Sequence, residues 1–235
     1  MKEEAIFHGH LGLGDHIILQ GAVNELSKLY DNFYVLAKHH NVRSVEVMCN
    51  EINSLNNVEV IGVKDDLEAQ ALSHDFENSH SFATAIRNGV HGSLIGTYAS
   101  FRNQGKSFDA CFYAQLGLDY GLSWGWETKE VSANNKILDL CPEGDFAFVH
   151  DDHSRGLEIK ESMIKTDLPI IRPSVFADSI FQYLPLIKKA KEIHCMDSSF
   201  ALMIDRTSKI TAKKFLHHYM RNLKPTYKSH WKRIG

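Results

Sequence analysis

Residues 4–38, "EAIFHGHLGLGDHIILQGAVNELSKLYDNFYVLAK", decide the fold class. A short apolar run, "EAIFHG", reads as a strand, and a glycine- and histidine-rich turn follows it. Ile17, Ile18, Ala22, Leu26 and Leu29 then recur at helical spacing, and "NFYVLAK" reads as a second strand. A strand, a polar turn, an amphipathic helix and a strand make one βαβ unit, which requires parallel pairing under helical cover.

The pattern continues outward from that unit. "VRSVEVMC" (42–49) reads as the tail of a short helix running into a strand, and "VEVIGV" (58–63) as a strand closed by the charged "KDDLEAQ". Residues 74–104 are less legible, and "NGVHGSLIGTY" is rich enough in glycine to read as loop plus strand. Residues 105–135 hold two of the three tryptophans and read as an insertion or a domain connection. A second series follows. "GDFAFVHDD" (144–152), "PIIRP" (169–173) and "EIHCM" (192–196) are strands, "SIFQYLPLIKKAK" is a helix, and "DSSFALMIDRTSK" is a turn into a helix. "KKFLHHYMRN" fits strand and helix equally. The expected architecture is α/β, with two Rossmann-like domains over residues 1–135 and 136–235 whose parallel sheets face across a cleft.

Composition excludes several classes. A chain of 235 residues, 43% hydrophobic and 23% charged, is long enough for one large or two small cores. A net charge of −3 gives no global attraction to nucleic acid or anionic membrane. No apolar run approaches the roughly 18–20 residues that span a bilayer. The four cysteines lie far apart with no C-x-x-C pair, which fits a reducing compartment, and a cytoplasmic location is expected.

Three polar stretches fall where strands give way to helices, the place where ligands bind in parallel α/β sheets. In the first, Gly12 and Gly14 let the backbone turn tightly, and Asp15 stands where it could cap the helix. The spacing is neither G-x-G-x-x-G nor a P-loop, which argues against a nicotinamide or ATP site, and no cofactor is implied. His8, His10 and His16 raise the question of a metal, but no fourth ligand is visible, and no metal site is assigned. In the second, "FVHDDHSRG", His150, Asp151, Asp152, His153, Ser154 and Arg155 crowd one strand end, and Arg155 could clamp a diphosphate with two prongs. An exposed polar loop is the plain alternative. In the third, Asp197, Ser198 and Ser199 precede a helix and could receive a phosphate, or could merely cap that helix.

Together these stretches carry a resemblance. "GLGDHIILQGAVNELSKLY" resembles the first loop and helix of GT-B glycosyltransferases of the heptosyltransferase-like (family 9-like) group, and "EIHCMDSSFALMIDR" is similar to that group's diphosphate-holding segment. The resemblance implies an acceptor on the first domain and a nucleoside-diphosphate sugar on the second. By position, Asp15 falls at the catalytic base with His16 beside it, and Ser198 and Ser199 fall at the phosphate turn that follows Asp197. "HDDHSRG" resembles, with different spacing, the His-x-Arg loop of fucosyltransferase-like GT-B enzymes, which brings His150, Asp152, Ser154 and Arg155 to the donor. The implied reaction is transfer of the sugar to a glycan or other hydroxyl acceptor, inverting and metal-independent. A base takes the hydroxyl proton, and cationic or dipolar groups receive the departing diphosphate. "HDDH" is the one place a metal could enter. A chain this short requires a stripped-down second domain, whose last segment, "PTYKSHWKRIG", could cross back to the first. The alternatives are a non-catalytic nucleotide-sugar-binding protein, an epimerase-like relative, or a plain interaction module.

Overall fold

A computed structural model describes residues 3–89, 94–132, 135–173, 177–218 and 225–235. The chain divides into two compact units, residues 1–126 and 127–235. The division precedes residue 135 because Thr128 donates its N–H to the Arg206 carbonyl and Glu130 pairs with Lys188, both within the second unit.

The first unit contains β1 (Glu4–His8), α1 (Leu13–Leu26), β2 (Asn32–Lys38), α2 (Val42–Glu46), β3 (Val58–Val63), α3 (Asp66–Glu77), β4 (Ala83–Arg87), α4 (Leu94–Asn103) and α5 (Phe108–Gln115). Its four strands pair in parallel in the order β3-β2-β1-β4, with Ile6 opposite both Tyr34 and Ala85. Ala5, Ile6, Phe7, Phe33, Val35, Leu36 and Ala37 are buried, the unbroken apolar run expected of strands covered on both faces. Asp65 starts α3 by accepting from the N–H groups of Leu67 and Glu68.

Three local readings need correction here. Residues 42–49 do not turn into a strand, because α2 runs on as a wider helical turn over Val47–Ile52 that buries Val47, Met48, Cys49 and Ile52. The strand expected in "NGVHGSLIGTY" lies upstream at β4, and residues 94–103 are helical; residues 90–93 fall outside the described residues. Within 105–135, residues 105–126 are no insertion, since α5 and a short helical turn, Tyr120–Trp124, pack on α1, while the division between the units falls at 126/127 inside the stretch. There the Tyr113 hydroxyl donates to the Ile18 carbonyl at 2.8 Å.

The second unit contains α6 (Asn135–Leu138), β5 (Ala147–His150), β6 (Ile170–Ile171), α7 (Leu184–Lys189), β7 (Glu192–Met196), α8 (Ser199–Asp205), β8 (Lys213–His217) and β9 (Lys232–Ile234). Its five strands are also all parallel, in the order β6-β5-β7-β8-β9. "KKFLH" resolves as the strand β8, while residues 219–224 lie outside the described residues. The last segment does not cross back: Lys232–Ile234 pairs with β8, and Trp231 donates its indole N–H to Asp205. Of the predicted helix 179–191, only α7 is α-helical, with a 3-10 turn over Ile180–Tyr183 leading into it.

In each sheet the chain reverses its direction of growth once, between β1 and β4 in the first unit and between β5 and β7 in the second. Ligand crevices of open parallel sheets form at the carboxyl ends of such strand pairs.

Candidate functional site

At the first switch point, β1 ends on the buried His8 and the chain passes through residues 9–12 into α1. Gly12 is the N-cap, with φ −72° and ψ 138°, a backbone that any residue adopts. The tight-turn reading of this glycine is therefore corrected. A Cβ at position 12 would stand 2.5 Å from the Asp15 carboxylate, so the missing side chain makes room for that group. Asp15 is not the cap. It is the third residue of α1, in the first turn, where the positive end of the helix dipole favours its charge. Its side chain is 26% exposed and lies 3.8 Å from Nδ1 of His10. His10 in turn rests on the Phe112 ring at 5.5 Å. Gly14 is half-buried in the same turn. Just past β4, Asn88 donates its backbone N–H to the His8 carbonyl and its side-chain amide to the Phe112 carbonyl, which ties the two strand ends to α5. His16 points inward and is 3% exposed; burial and the nearby His10 lower its pKa to about 4, so the ring is neutral at pH 7.

The second switch point gathers the other two polar stretches. β5 ends on His150, whose ring stacks on Phe200 at 3.6 Å and 17°. Burial, the largest cause, holds His150 near a pKa of about 4 despite the adjacent Asp151 and Asp152. Residues 152–157 form a knot. Asp152 accepts from the Ser154 hydroxyl at 2.6 Å and from Arg155 at 2.9 Å, and its backbone bridges Leu157 across Gly156, whose φ of 65° suits glycine. Arg155 thus lies on Asp152 with half its side chain exposed. Asp151 is buried, accepts from the Ile159 N–H at 2.6 Å and pairs with Arg172. Arg172 is a polar anchor that the sequence reading missed, because "PIIRP" carries only a strand signal.

His150, Asp151, Pro173, Ile180, Tyr183 and Phe200 line a cavity of about 260 Å³ in this unit. Beside β5, the strand β7 ends at Met196; Asp197 and Ser198, both buried, follow it, and Ser199 opens α8, whose Phe200 lines the cavity. Ser198 is the N-cap but makes no side-chain cap bond, and its hydroxyl oxygen is buried with no partner among the described residues. The plain reading of this turn as a capped helix therefore does not hold. Asp197 accepts from the Tyr227 hydroxyl at 2.6 Å, a contact no local sequence signal announces. Among the described residues no group of three or more His, Cys, Asp or Glu side chains could hold a metal ion. No described helix is long and apolar enough to cross a membrane.

Buried histidines give a stability prediction. His217, 3.0 Å from His194 inside the sheet, is also held to a pKa of about 4 by burial, with His194 adding to the effect. His16, His150 and His217 bind protons more readily in the unfolded chain, near 6.5, than in the folded one. Their contribution to stability is complete above pH 6.5 and is lost as pH falls through the window from 6.5 to 4. Urea melts should show stability falling by up to about 1.4 kcal/mol per pH unit for each ring. A flat profile across that window would contradict the burial of these rings.

No protein-family model matches the chain, and no curated protein matches it by sequence. Solved structures do. The chain is similar to the iron-containing dodecameric glycosyltransferase TibC of enterotoxigenic E. coli H10407, at 9% identity and a TM-score of 0.50 over 92% of its length. It spans 58% of that protein. It is also similar to the E. coli heptosyltransferase WaaC, solved with ADP-2-deoxy-2-fluoro heptose, at 11% identity, a TM-score of 0.45 and 98% coverage, with 92% of that chain matched. The likeness to TibC is one of fold, and the two parallel α/β units are of the GT-B-like type.

Proposed function

We propose that the protein is a GT-B-type glycosyltransferase that moves a sugar from a nucleoside-diphosphate donor to a glycan or other hydroxyl acceptor, with inversion and without a metal. The observation that carries this reading is the aromatic cavity at the second switch point. Its stacked His150–Phe200 pair offers a flat apolar surface to a base, and Phe200 directly follows the polar turn of Asp197, Ser198 and Ser199. In this reading Ser198 and Ser199 receive the diphosphate, the knot of Asp152, Ser154 and Arg155 borders it, and the second unit is the donor side. The first unit is the acceptor side. There Asp15 takes the proton of the attacking hydroxyl, and His16, buried and neutral, supports the first turn of α1 from within.

The test is calorimetry of the unaltered chain against UDP, GDP, CDP and ADP. Binding of one, with sugar transfer from the matching donor, supports the reading; binding without turnover favours a nucleotide-sugar-binding protein; no binding removes it. Arg155→Ala should weaken the nucleotide by about 1.5–3 kcal/mol, the worth of a charge-assisted hydrogen bond. Equal affinity would leave Arg155 as the partner of Asp152 and nothing more. Turnover should survive EDTA, since hydroxyls, peptide N–H groups and a guanidinium can receive the leaving diphosphate. Loss on chelation, restored by manganese or magnesium, would instead bring His150, Asp151, Asp152 and His153 in as ligands.

A further inference from the structure

Asp197 poses a physical problem for that reading, on which this inference rests. A buried carboxylate stands at the end of β7, next to the turn that would hold an anion, and like charges at close range repel strongly where water is scarce. The chain answers it from far away in sequence. Tyr227 reaches back and donates its hydroxyl to Oδ1 of Asp197 at 2.6 Å. Four further donors fix the same segment. The N–H groups of Lys228 and Ser229, the Ser229 hydroxyl and the Trp231 indole all donate to Asp205, the last residue of α8. Residues 227–231 thus run alongside α8 and grip the carboxylate just before its start and the one at its end. Trp231 is buried beneath the Tyr227 ring, at 5.8 Å, and β9 closes the sheet directly after it.

We infer that Tyr227 is a positioning residue for the donor site: its hydroxyl holds the Asp197 carboxylate in place and offsets its charge, so that an anion can occupy the adjoining Ser198–Ser199 turn. The C-terminal segment is then part of the nucleotide site without touching the nucleotide. Burial and the Asp197 charge raise the phenol well above its ordinary pKa, so the hydroxyl keeps its proton throughout the neutral range.

The experiment is a calorimetric titration of the full chain with UDP, GDP, CDP and ADP, comparing the unaltered protein, Tyr227→Phe, and Tyr227→Phe combined with Asp197→Asn. Phenylalanine keeps the ring on Trp231 and removes only the donor. Tyr227→Phe should weaken the bound nucleotide about tenfold while the Tm moves by a few degrees at most, and neutralising Asp197 in that background should recover most of the loss. The recovery is read against the Tm of the same variants: affinity lost and regained while the Tm stays nearly constant assigns the positioning role, because relief of an under-satisfied buried carboxylate in a merely structural tail would move affinity and Tm together. Unchanged affinity in Tyr227→Phe, a loss that the double variant does not recover, or a collapse of the Tm overturns the inference and leaves Tyr227 a structural anchor. Absence of nucleotide binding by the unaltered protein overturns the donor reading itself, and this inference with it.

Discussion

Replacing Asp15 with asparagine is expected to lower turnover about a hundredfold or more, with the nucleotide affinity and the melting temperature close to those of the unaltered chain. Asparagine has the shape of aspartate, fits the space left by the bare Gly12, and can still accept hydrogen bonds, but it cannot take a proton. The geometry sharpens the test. Because Gly12 and not Asp15 is the N-cap, the substitution removes no cap; it gives up the attraction of a first-turn carboxylate to the helix dipole, about 0.3–1 kcal/mol, and the charge that faces His10. A large fall in rate with an intact fold therefore assigns the base. Turnover that survives Asp15→Asn would move the search to His10, which stands 3.8 Å away and is itself part-exposed. His8 and His16 are buried and are poorer alternatives.

The second large effect is expected far from any chemistry. Gly21→Ala would place a Cβ 1.9 Å from the carbonyl oxygen of Leu122 and 3.0 Å from the Tyr113 hydroxyl. The contact on the Leu122 side is backbone, so no side chain can swing away. Either α1 or the Tyr120–Trp124 turn must move, and the Tyr113 bond to the Ile18 carbonyl would be strained with it. Overpacking of this kind costs about 3 kcal/mol, read as a lower urea midpoint. Gly96, with open space around its Cβ position, is the control and should tolerate alanine with little change. Equal stability of Gly21→Ala and Gly96→Ala would show that α1 and the Tyr120–Trp124 turn are less closely packed than described.

Much of this molecule follows from local pattern. "EAIFH", "NFYVLAK", "VEVIGV" and "EIHCM" declare themselves as strands because a strand covered on both faces must be apolar nearly throughout, and that signal needs no partner to be read. The polar stretches at strand ends are legible for the complementary reason: residues this polar cannot enter the sheet, so they collect where it stops. Strand, turn and helix in alternation then dictate parallel sheets, and with them the positions of Asp15 and of the Asp197–Ser199 turn.

What the sequence could not determine was every feature that depends on a partner distant along the chain. The glycine at position 12 looks like a turn residue until the Asp15 carboxylate is seen beside it, and Gly21 looks incidental until Leu122 arrives across 101 positions of sequence. Arg155, the obvious guanidinium, is engaged by its neighbour Asp152, while Arg172, hidden in a strand pattern, anchors Asp151. The final eleven residues carry aromatic and basic side chains with no periodicity, so nothing local says whether they cross to the first unit or stay in the second. Two buried carboxylates decide it. Asp197 and Asp205 need donors, a buried charge is costly without them, and Tyr227, Lys228, Ser229 and Trp231 supply them. Periodicity reports which face of an element is buried; only the tertiary structure decides which polar groups are buried together, because that depends on contacts whose sequence separation carries no pattern.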